Sequence, residues 1–244
     1  MSRLDETTRR GLLGLAGALA ITGGAGYGMS KLSTGGDGAS SAPLHHTTET
    51  TSLGLDLDGH PVMGSMDAPV DVYYYTDYQC PFCGRFEQNA LPKLVSNEVS
   101  SGTARLVFVE FPNIGPASTT AAVLDRCVWR QVRESDPQAW WRWHTTLFDE
   151  QGQPNSGWAS RENLLGIAED VDGVDAAAVE ACADDHGEAI RDSIAADVER
   201  GKTYGVRATP TSVFVKRGTE KAGRVVGAQP YSRFQTAVER IRDA

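Results

Sequence analysis

Two cysteines that are separated by two residues, Cys80 and Cys83 in the stretch YQCPFC, are the residues of this sequence best suited to chemistry. This spacing occurs in redox pairs, in halves of zinc sites and in structural disulfides. A zinc site needs four ligands, usually from a second close pair. The other cysteines, Cys127 and Cys182, stand alone, and no histidine pair flanks them at ligand spacing. The sequence therefore predicts no metal and no other cofactor.

The position of the pair between a predicted strand and a predicted helix favours redox chemistry. The β-branched and aromatic run VDVYYYT predicts a buried strand, and CGRFEQNALPKLVSNE predicts a helix that Pro92 should kink. Cys80 then falls at the helix N-terminus, where Pro81 suits the first helical position. Unpaired N–H groups and the helix dipole should lower the pKa of Cys80 below its usual value of about 8.5. Cys83, one turn further on, can close the disulfide in thiol–disulfide exchange.

The remaining pattern predicts an α/β fold with a mixed sheet that is flanked by helices. Further strands are expected at residues 104–112, at residues 211–216 and in KAGRVVGA, and a helix in YSRFQTAVERIRDA closes the chain. The first strand–helix–strand unit should be parallel with a right-handed crossover, and the last two strands should be antiparallel. Helical patterns from about residue 117 to 204 predict an insertion between the second and third strands.

A second feature, Thr209-Pro210 in RATPTSVF, precedes the third strand and could be a plain turn. Combined with the strand–CxxC–helix unit, it makes the chain resemble the DsbA-like (disulfide-bond protein A-like) branch of the thioredoxin superfamily. The resemblance covers Leu53 to Ala244 and rests on DGHPVMGSMDAPVDVYYYTDYQCPFCGRFE, the helical insertion, GVRATPTSVFV and GAQPYSRF. It implies a thioredoxin-like fold and a cis Thr209-Pro210 bond against the cysteines. It also implies that the Thr209 backbone pairs with an extended substrate chain.

Two positions depart from the pattern of that family. Phe82 stands where strongly oxidising members carry a histidine, and it cannot donate a hydrogen bond to the Cys80 thiolate, so the direction of electron flow stays open. Tyr74 stands where many members carry a buried carboxylate, six residues before the first cysteine. Asp77 and Glu110 could relay protons instead, although a solvated or capping carboxylate is the simpler interpretation of each.

The N-terminal region predicts export. Arg9-Arg10 directly precedes an uncharged stretch, so that residues 1–30 are similar to a twin-arginine signal, either cleaved or retained as a membrane anchor. The alternative is an apolar helix of a cytoplasmic protein. Residues 31–52 are rich in Gly, Ser and Thr and predict a flexible linker, in which His45-His46 would be solvated. Residues 53–244 are then the thioredoxin-like domain.

The two cysteines outside the pair, Cys127 and Cys182, fall on apolar stripes of predicted helices, either as free core thiols or as a disulfide. An even number of cysteines in an exported protein argues for pairing, and four cysteines allow three connectivities. Assigning Cys80 to Cys83 leaves Cys127 to Cys182, and comparable disulfides occur in the insertion of some family members. The aromatic run WWRWHTTLF is expected to pack between insertion and sheet, with a hydrophobic substrate groove as the weaker alternative.

Charge and composition narrow the possible functions. The formal net charge is −9 and the basic residues form no patch, which disfavours nucleic-acid binding. The sequence predicts an exported thiol–disulfide oxidoreductase that forms disulfides in exported proteins with thiols, and the resemblance implies a membrane partner that reoxidises it. Alternatives are a reductase or isomerase of the same fold and a non-catalytic, tethered binding module. No dimerisation domain of the kind that isomerases carry is recognisable before Leu53, which favours a monomer.

Overall fold

A computed structural model describes residues 42–244, and a six-stranded sheet forms the centre of this part of the chain. The strands are β1 (Leu44–His45), β2 (Val62–Met63), β3 (Val70–Thr76), β4 (Ala104–Glu110), β5 (Thr211–Lys216) and β6 (Ala222–Val226). Their order across the sheet is β1-β2-β4-β3-β5-β6. β3 and β4 run parallel, and each of the other neighbouring pairs is antiparallel. The mixed sheet that the sequence predicts is therefore confirmed.

The register of the central strands determines which loops meet. Thr76 at the end of β3 lies opposite Glu110 at the end of β4, so the segments that follow both strands emerge at the same edge of the sheet. β5 runs antiparallel to β3, with Thr211 opposite Tyr75. The residues just before β5 therefore lie beside the residues just after β3, although they are far apart in the sequence.

Seven α-helices lie within residues 42–244, together with a 3₁₀ turn at Leu57–Gly59 and a π-helical turn at Val95–Val99. The helices are α1 (Pro81–Asn89), α2 (Leu91–Leu94), α3 (Pro116–Val132), α4 (Pro137–Asp149), α5 (Arg161–Glu169), α6 (Ala176–Thr203) and α7 (Tyr231–Arg242). α3 to α6 lie between β4 and β5, which confirms the predicted helical insertion. Among these described helices, none combines the length and the apolar character needed to cross a bilayer.

The helix that follows the cysteines is interrupted at Ala90. The sequence predicts one helix with a kink at Pro92, whereas the structure ends α1 at Asn89 and begins α2 at Leu91. Pro92 has no N–H to donate to the carbonyl four residues earlier, and its ring disfavours a continuous helix at that turn. The chain restarts with proline in the first turn, a position at which the missing donor costs little.

The side chains of β3 alternate between two apolar cores, one on each face of the sheet. All seven residues of this strand are buried. Tyr73 and Tyr75 pack into the core that includes Val109, whereas Tyr74 packs into the larger core on the other face. There the Tyr74 ring lies 4.8 Å from the ring centroid of Phe86 in α1. Successive strand residues point to opposite faces, so the strand binds helices on both sides and fixes the start of α1.

The flexible linker predicted for residues 31–52 is wrong for its described part, residues 42–52. β1 pairs with β2, and Leu44 is 6% exposed. The Glu49 carboxylate lies 3.0 Å from the guanidinium of Arg105, which is fully buried in β4 and needs counter-charges. His46 is not simply solvated, because its Nε2 lies 2.9 Å from the Asp58 Oδ1. A two-residue strand has no readable periodicity, so composition alone suggested a linker. The predicted signal, residues 1–30, lies outside the described residues.

Candidate active site

Cys80 sits at the junction of the β3 loop and α1, in the position that caps the helix N-terminus. Its backbone is extended, with φ −80° and ψ 115°, and Pro81 begins the helix. The residue is 3% exposed. Its thiol donates a hydrogen bond to the backbone carbonyl of Thr209, with the sulfur 3.3 Å from the oxygen. The nucleophile that the sequence predicts therefore lies against the segment that precedes β5.

The environment of Cys80 stabilises its thiolate. A hydrogen bond from the Cys83 thiol is the largest cause that lowers the pKa of Cys80, to about 6, against the opposing effect of burial. The Thr209 hydroxyl and the backbone N–H groups of Cys83 and Phe82 lower the pKa further. The helix N-terminus predicted the direction of this shift, but the partner cysteine contributes more than the backbone groups.

Cys83 has the opposite character. It is fully buried, and burial raises the pKa of its thiol well above the usual range, with a further contribution from neighbouring Cys80. The Thr76 hydroxyl and the Asp77 backbone N–H act in the other direction. Both cysteines are free thiols in this structure. At neutral pH, Cys80 is therefore the nucleophile and Cys83 a protonated thiol held next to it.

The reaction of the reduced protein with an alkylating reagent should speed up as pH rises through about 6, because only the thiolate reacts. Iodoacetamide rates measured across this range test the expectation. Cys83→Ala should move the midpoint upwards, because it removes the largest hydrogen bond to the thiolate, whereas Cys83→Ser keeps a donor and should move it less. A midpoint close to the free-cysteine value of about 8.5 would contradict the assignment.

The bond between Thr209 and Pro210 is cis in the structure. This segment lies directly before β5, whose Thr211 pairs with Tyr75 in β3. The antiparallel register thus brings the Thr209 carbonyl to the Cys80 thiol from 129 residues away in the sequence. The Thr209 hydroxyl also bonds to the Asn113 side chain, 3.4 Å away, in the loop after β4. Three segments therefore converge on Cys80.

Phe82 occupies the surface beside the nucleophile. Its side chain is large and apolar, yet the residue is 51% exposed. The guanidinium carbon of Arg85 lies 4.9 Å from the centroid of its ring. Pro81 is exposed as well. The ring offers no hydrogen-bond donor to the Cys80 sulfur, so the stabilisation of the thiolate falls to Cys83, Thr209 and the backbone.

A family model described as thioredoxin matches residues 56–240, which include the cysteine pair and the Thr209-Pro210 segment. The chain belongs to the thioredoxin family.

Similar proteins include members with a stated role in disulfide chemistry. Disulfide bond formation protein D of Bacillus subtilis strain 168 is 28% identical over 155 residues, which cover 64% of this chain and 67% of that protein. The probable disulfide bond formation protein D of Bacillus anthracis is 29% identical over 155 residues, which cover 63% of this chain and 68% of that protein.

Solved structures show the same fold. The crystal structure of oxidised BdbD from Bacillus subtilis gives a TM-score of 0.66 at 23% identity, covering 82% of this chain and 100% of that one. Wolbachia pipientis alpha-DsbA1 gives a TM-score of 0.64 at 20% identity, covering 80% of this chain and 96% of that one. The helical insertion is therefore part of a DsbA-like architecture. The family match, the relatives and this shared fold together identify the chain as a DsbA-like thiol–disulfide oxidoreductase.

Asp77 in this thioredoxin-family site is a structural cap. The residue is 3% exposed, and its Oδ2 accepts the backbone N–H groups of Asn113 and Ile114 at 2.8 and 3.0 Å. Its Oδ1 accepts the Gln79 N–H at 2.9 Å. The carboxylate therefore ties the loop after β3 to the loop after β4, which agrees with the capping interpretation.

Glu110 is neither solvated nor a cap. It is 3% exposed, and its carboxylate lies 2.6 Å from the Arg126 Nε in α3. The Arg126 charge holds the pKa of Glu110 below its usual range, although burial is the largest influence and acts in the opposite direction. Burial, followed by the nearby Glu110 charge, raises the pKa of Asp125 well above its usual range. Burial therefore favours the neutral form of Asp125, and the ion-pair partner of Glu110 is Arg126 on α3.

Residues of the insertion also stabilise the cysteine loop, and few features of the sequence indicate them. The Gln151 side-chain amide, just beyond α4, donates to the backbone carbonyls of Tyr78 at 2.6 Å and Cys80 at 3.1 Å. Gly84 makes room for this contact, because a Cβ there would lie 2.5 Å from the Gln151 Oε1. A glycine directly after Cys83 in a helix is the one local signal of a close approach.

The aromatic run of α4 packs in the core, as expected from the sequence, and does not line a substrate groove. Trp140, Trp143 and His144 are fully buried. The indole N–H groups of Trp140 and Trp143 donate to the Asp125 Oδ1 at 2.9 and 3.1 Å. The same oxygen accepts the Tyr78 hydroxyl at 2.5 Å, and Tyr78 lies in the cysteine loop. The insertion thus contacts the active-site loop through a buried polar network.

Cys127 and Cys182 form a disulfide in the structure, with their Cα atoms 5.7 Å apart. Cys127 is buried on α3, and Cys182 lies on α6, the longest helix of the insertion. The bond joins the two helices through cysteines that are 55 residues apart in the sequence. Cys80 and Cys83 remain as a separate pair.

Proposed function

We propose that this oxidoreductase forms disulfide bonds in exported proteins. The observation that carries the proposal is the asymmetry of the pair: Cys80 has a pKa lowered to about 6, whereas Cys83 is buried with a raised pKa. A stabilised thiolate favours the reduced form, and a redox pair with a favoured reduced form is a strong oxidant of other thiols. The names of the similar disulfide bond formation proteins support the same direction of electron flow.

The reaction proceeds through a mixed disulfide. A substrate thiolate attacks the Cys80 sulfur of the oxidised pair, forms a bond to it and expels Cys83 as a thiolate, which takes up a proton. A second substrate thiolate then attacks the substrate sulfur of the mixed disulfide and expels Cys80. The substrate loses two electrons to the pair, and the low pKa makes Cys80 a good leaving group in the second step.

The surface around Cys80 suits an unfolded substrate chain. Phe82 presents an exposed aromatic ring beside the sulfur, and an apolar ring can bind segments that are not yet buried in a folded substrate. The backbone next to Thr209 adjoins the start of β5, where an extended chain could pair with it by strand addition. Asp77 and Glu110 support this surface indirectly, through the loops and helix that they hold.

Export is part of the proposal. The Cys127–Cys182 disulfide is of a kind that persists in oxidising compartments, which supports a position outside the cytoplasm. Arg9-Arg10 and the uncharged stretch after it would direct export by the twin-arginine route, followed by cleavage or by retention as an anchor. A membrane partner that withdraws electrons would reoxidise Cys80 and Cys83, and the protein would act as a monomer.

A reductase or isomerase is the second candidate, because Phe82 removes a hydrogen-bond donor from the dipeptide between the cysteines. The two directions separate in a pair of assays with the full chain. We expect the oxidised protein to speed disulfide formation in a reduced, unfolded secreted protein. We also expect the reduced protein to be a poor catalyst of insulin reduction with dithiothreitol. Fast insulin reduction without disulfide transfer would overturn the oxidase assignment.

A further inference from the structure

A cavity lies between α3 and α6, in a part of the fold that the disulfide chemistry does not use. Its volume is about 420 Å³, which is within the range of small-molecule sites. Residues of α3 and α6 form two of its walls, and the 3₁₀ turn with the residues just before it forms the third. Cys80, Cys83 and Thr209 do not line it. The cavity is therefore separate from the candidate active site.

Four arginines and three aspartates line this cavity, so it is more positive than the chain as a whole, whose formal net charge is −9. One of the aspartates, Asp58, lies 3.3 Å from the Arg133 guanidinium. Another, Asp56, uses its Oδ1 to accept the Asp58 backbone N–H at 3.1 Å. Within residues 42–244, the guanidinium groups of Arg130 and Arg200 have no carboxylate partner. Two exposed positive charges at the cavity are therefore unpaired.

The buried guanidinium of Arg126, which also lines the cavity, is only partly occupied by its ion pairs. Arg126 is 5% exposed, and its Nε and Nη2 lie 2.6 and 2.9 Å from the carboxylates of Glu110 and Asp197. Its Nη1 has no hydrogen-bond partner among the described residues. Gly59 lines the cavity beside this nitrogen, and a Cβ there would collide with the Nη1. Arg126 therefore keeps free N–H donors at the cavity.

Trp129 on α3 carries a further free donor. It is 1% exposed and lines the cavity, and its indole Nε1 has no hydrogen-bond partner in the part of the chain that the structure describes. Buried polar groups without a partner are rare, because each has lost its hydrogen bonds to water. The buried indoles of Trp140 and Trp143, by contrast, both donate to Asp125. The Trp129 N–H therefore indicates an acceptor from outside the chain.

We propose that this cavity binds a small phosphate ester. The free groups at the cavity are N–H donors of one indole and of three guanidinium groups, and a phosphate offers three strong acceptor oxygens with up to two negative charges. Guanidinium groups match phosphate oxygens in both geometry and charge. Ala189, Ile190 and Ala196 on α6 supply an apolar surface for the organic part of the ester. Binding at this site goes beyond the proposed disulfide chemistry.

The Cys127–Cys182 disulfide fixes the distance between the two helical walls. On α3, Cys127 lies about one turn before Arg130, and on α6, Cys182 lies about one turn before His186, which also lines the cavity. The bond therefore joins the walls next to the residues that would hold the ligand. A site whose walls are already ordered costs less conformational entropy to occupy, which favours binding.

Isothermal titration calorimetry of the full chain with phenyl phosphate tests the site, because this compound joins a phosphate to an apolar ring. We expect binding at one site, and weaker binding of inorganic phosphate, which lacks the ring. The double variant Arg130→Gln/Arg200→Gln should bind phenyl phosphate about tenfold more weakly or worse, the loss expected when a hydrogen bond between charged groups is removed. Both arginines are exposed, so the variant should keep its fold.

The matched control is the double variant Arg233→Gln/Arg240→Gln, which removes the same charge from α7. Both of these arginines are exposed and neither lines the cavity, so the variant should bind phenyl phosphate as the wild type does. Trp129→Phe is a second test of the site. It keeps an aromatic ring against Trp140, whose ring centroid lies 6.0 Å away, but removes the indole N–H, so its affinity should fall while circular dichroism shows an intact fold.

Vesicles separate a soluble ester from a lipid headgroup. Co-sedimentation with phosphatidylcholine vesicles that contain phosphatidic acid, above that with phosphatidylcholine alone and lost in Arg130→Gln/Arg200→Gln, supports the site and assigns a headgroup. Binding of phenyl phosphate without this enhancement supports the site and assigns a soluble ester. The proposal is overturned if neither probe binds, with phenyl phosphate at millimolar concentration, or if the variants of the cavity and of α7 bind equally well. Disulfide formation should be unchanged in Arg130→Gln/Arg200→Gln, so the two proposals can fail separately.

Discussion

Replacing Cys80 with serine is expected to reduce catalysed disulfide formation to the uncatalysed rate. The variant keeps only Cys83, which is fully buried and has a raised pKa, so neither access nor protonation state permits attack on or by a substrate sulfur. Serine is a far weaker nucleophile and leaving group than a thiolate at neutral pH. Regeneration of a reduced, unfolded secreted protein measures the loss.

Cys83→Ser is the matched comparison for this prediction. It too cannot form the internal disulfide, so it should not oxidise a substrate, but it keeps the Cys80 nucleophile and a hydroxyl donor beside it. Incubated with a disulfide-bonded substrate, Cys83→Ser should accumulate a mixed disulfide through Cys80, and Cys80→Ser should accumulate none. Equal trapping by the two variants would show that the roles of the cysteines are assigned wrongly.

Removal of the Cys127–Cys182 disulfide should produce the largest loss of stability. The bond closes a loop with a sequence separation of 55 residues between α3 and α6. In the chain-entropy account, removing a disulfide that closes a loop of this length lowers the free energy of unfolding by about 4 kcal/mol. The double variant Cys127→Ala/Cys182→Ala, unfolded in urea and monitored by circular dichroism, measures this difference.

The control for stability is the double variant Cys80→Ala/Cys83→Ala, compared with the reduced wild type, because both lack the active-site bond and retain the bond in the insertion. The two should differ much less in unfolding free energy than the Cys127→Ala/Cys182→Ala pair differs from the wild type. A loss of less than about 1 kcal/mol on removal of Cys127 and Cys182 would mean that helix packing, rather than the bond, holds the insertion together.

The central strands could be predicted from the sequence because their signal is local. β3 and β5 have the predicted bounds, since VDVYYYT and TSVFVK are β-branched or aromatic runs buried on both faces of the sheet. β1 and β2 were missed because two residues carry no periodicity. The packing of Glu49 was missed because it depends on Arg105, 56 residues further on.

The candidate site divides in the same way. The place of Cys80 before α1 follows from neighbouring residues, so the sequence could indicate the nucleophile and the direction of its pKa shift. The contacts of Gln151 with the Cys80 carbonyl and of His144 with Tyr78 span 71 and 66 residues and follow from tertiary packing alone.

The reduction potential of the Cys80–Cys83 pair tests the central claim most directly. Equilibration of the full chain with glutathione, with the oxidised and reduced forms separated after acid quenching, gives this value. The account predicts a potential less negative than the thioredoxin value of about −270 mV, because a Cys80 pKa of about 6 stabilises the reduced form. A potential at or below the thioredoxin value of about −270 mV would contradict the oxidase assignment and identify the protein as a reductant.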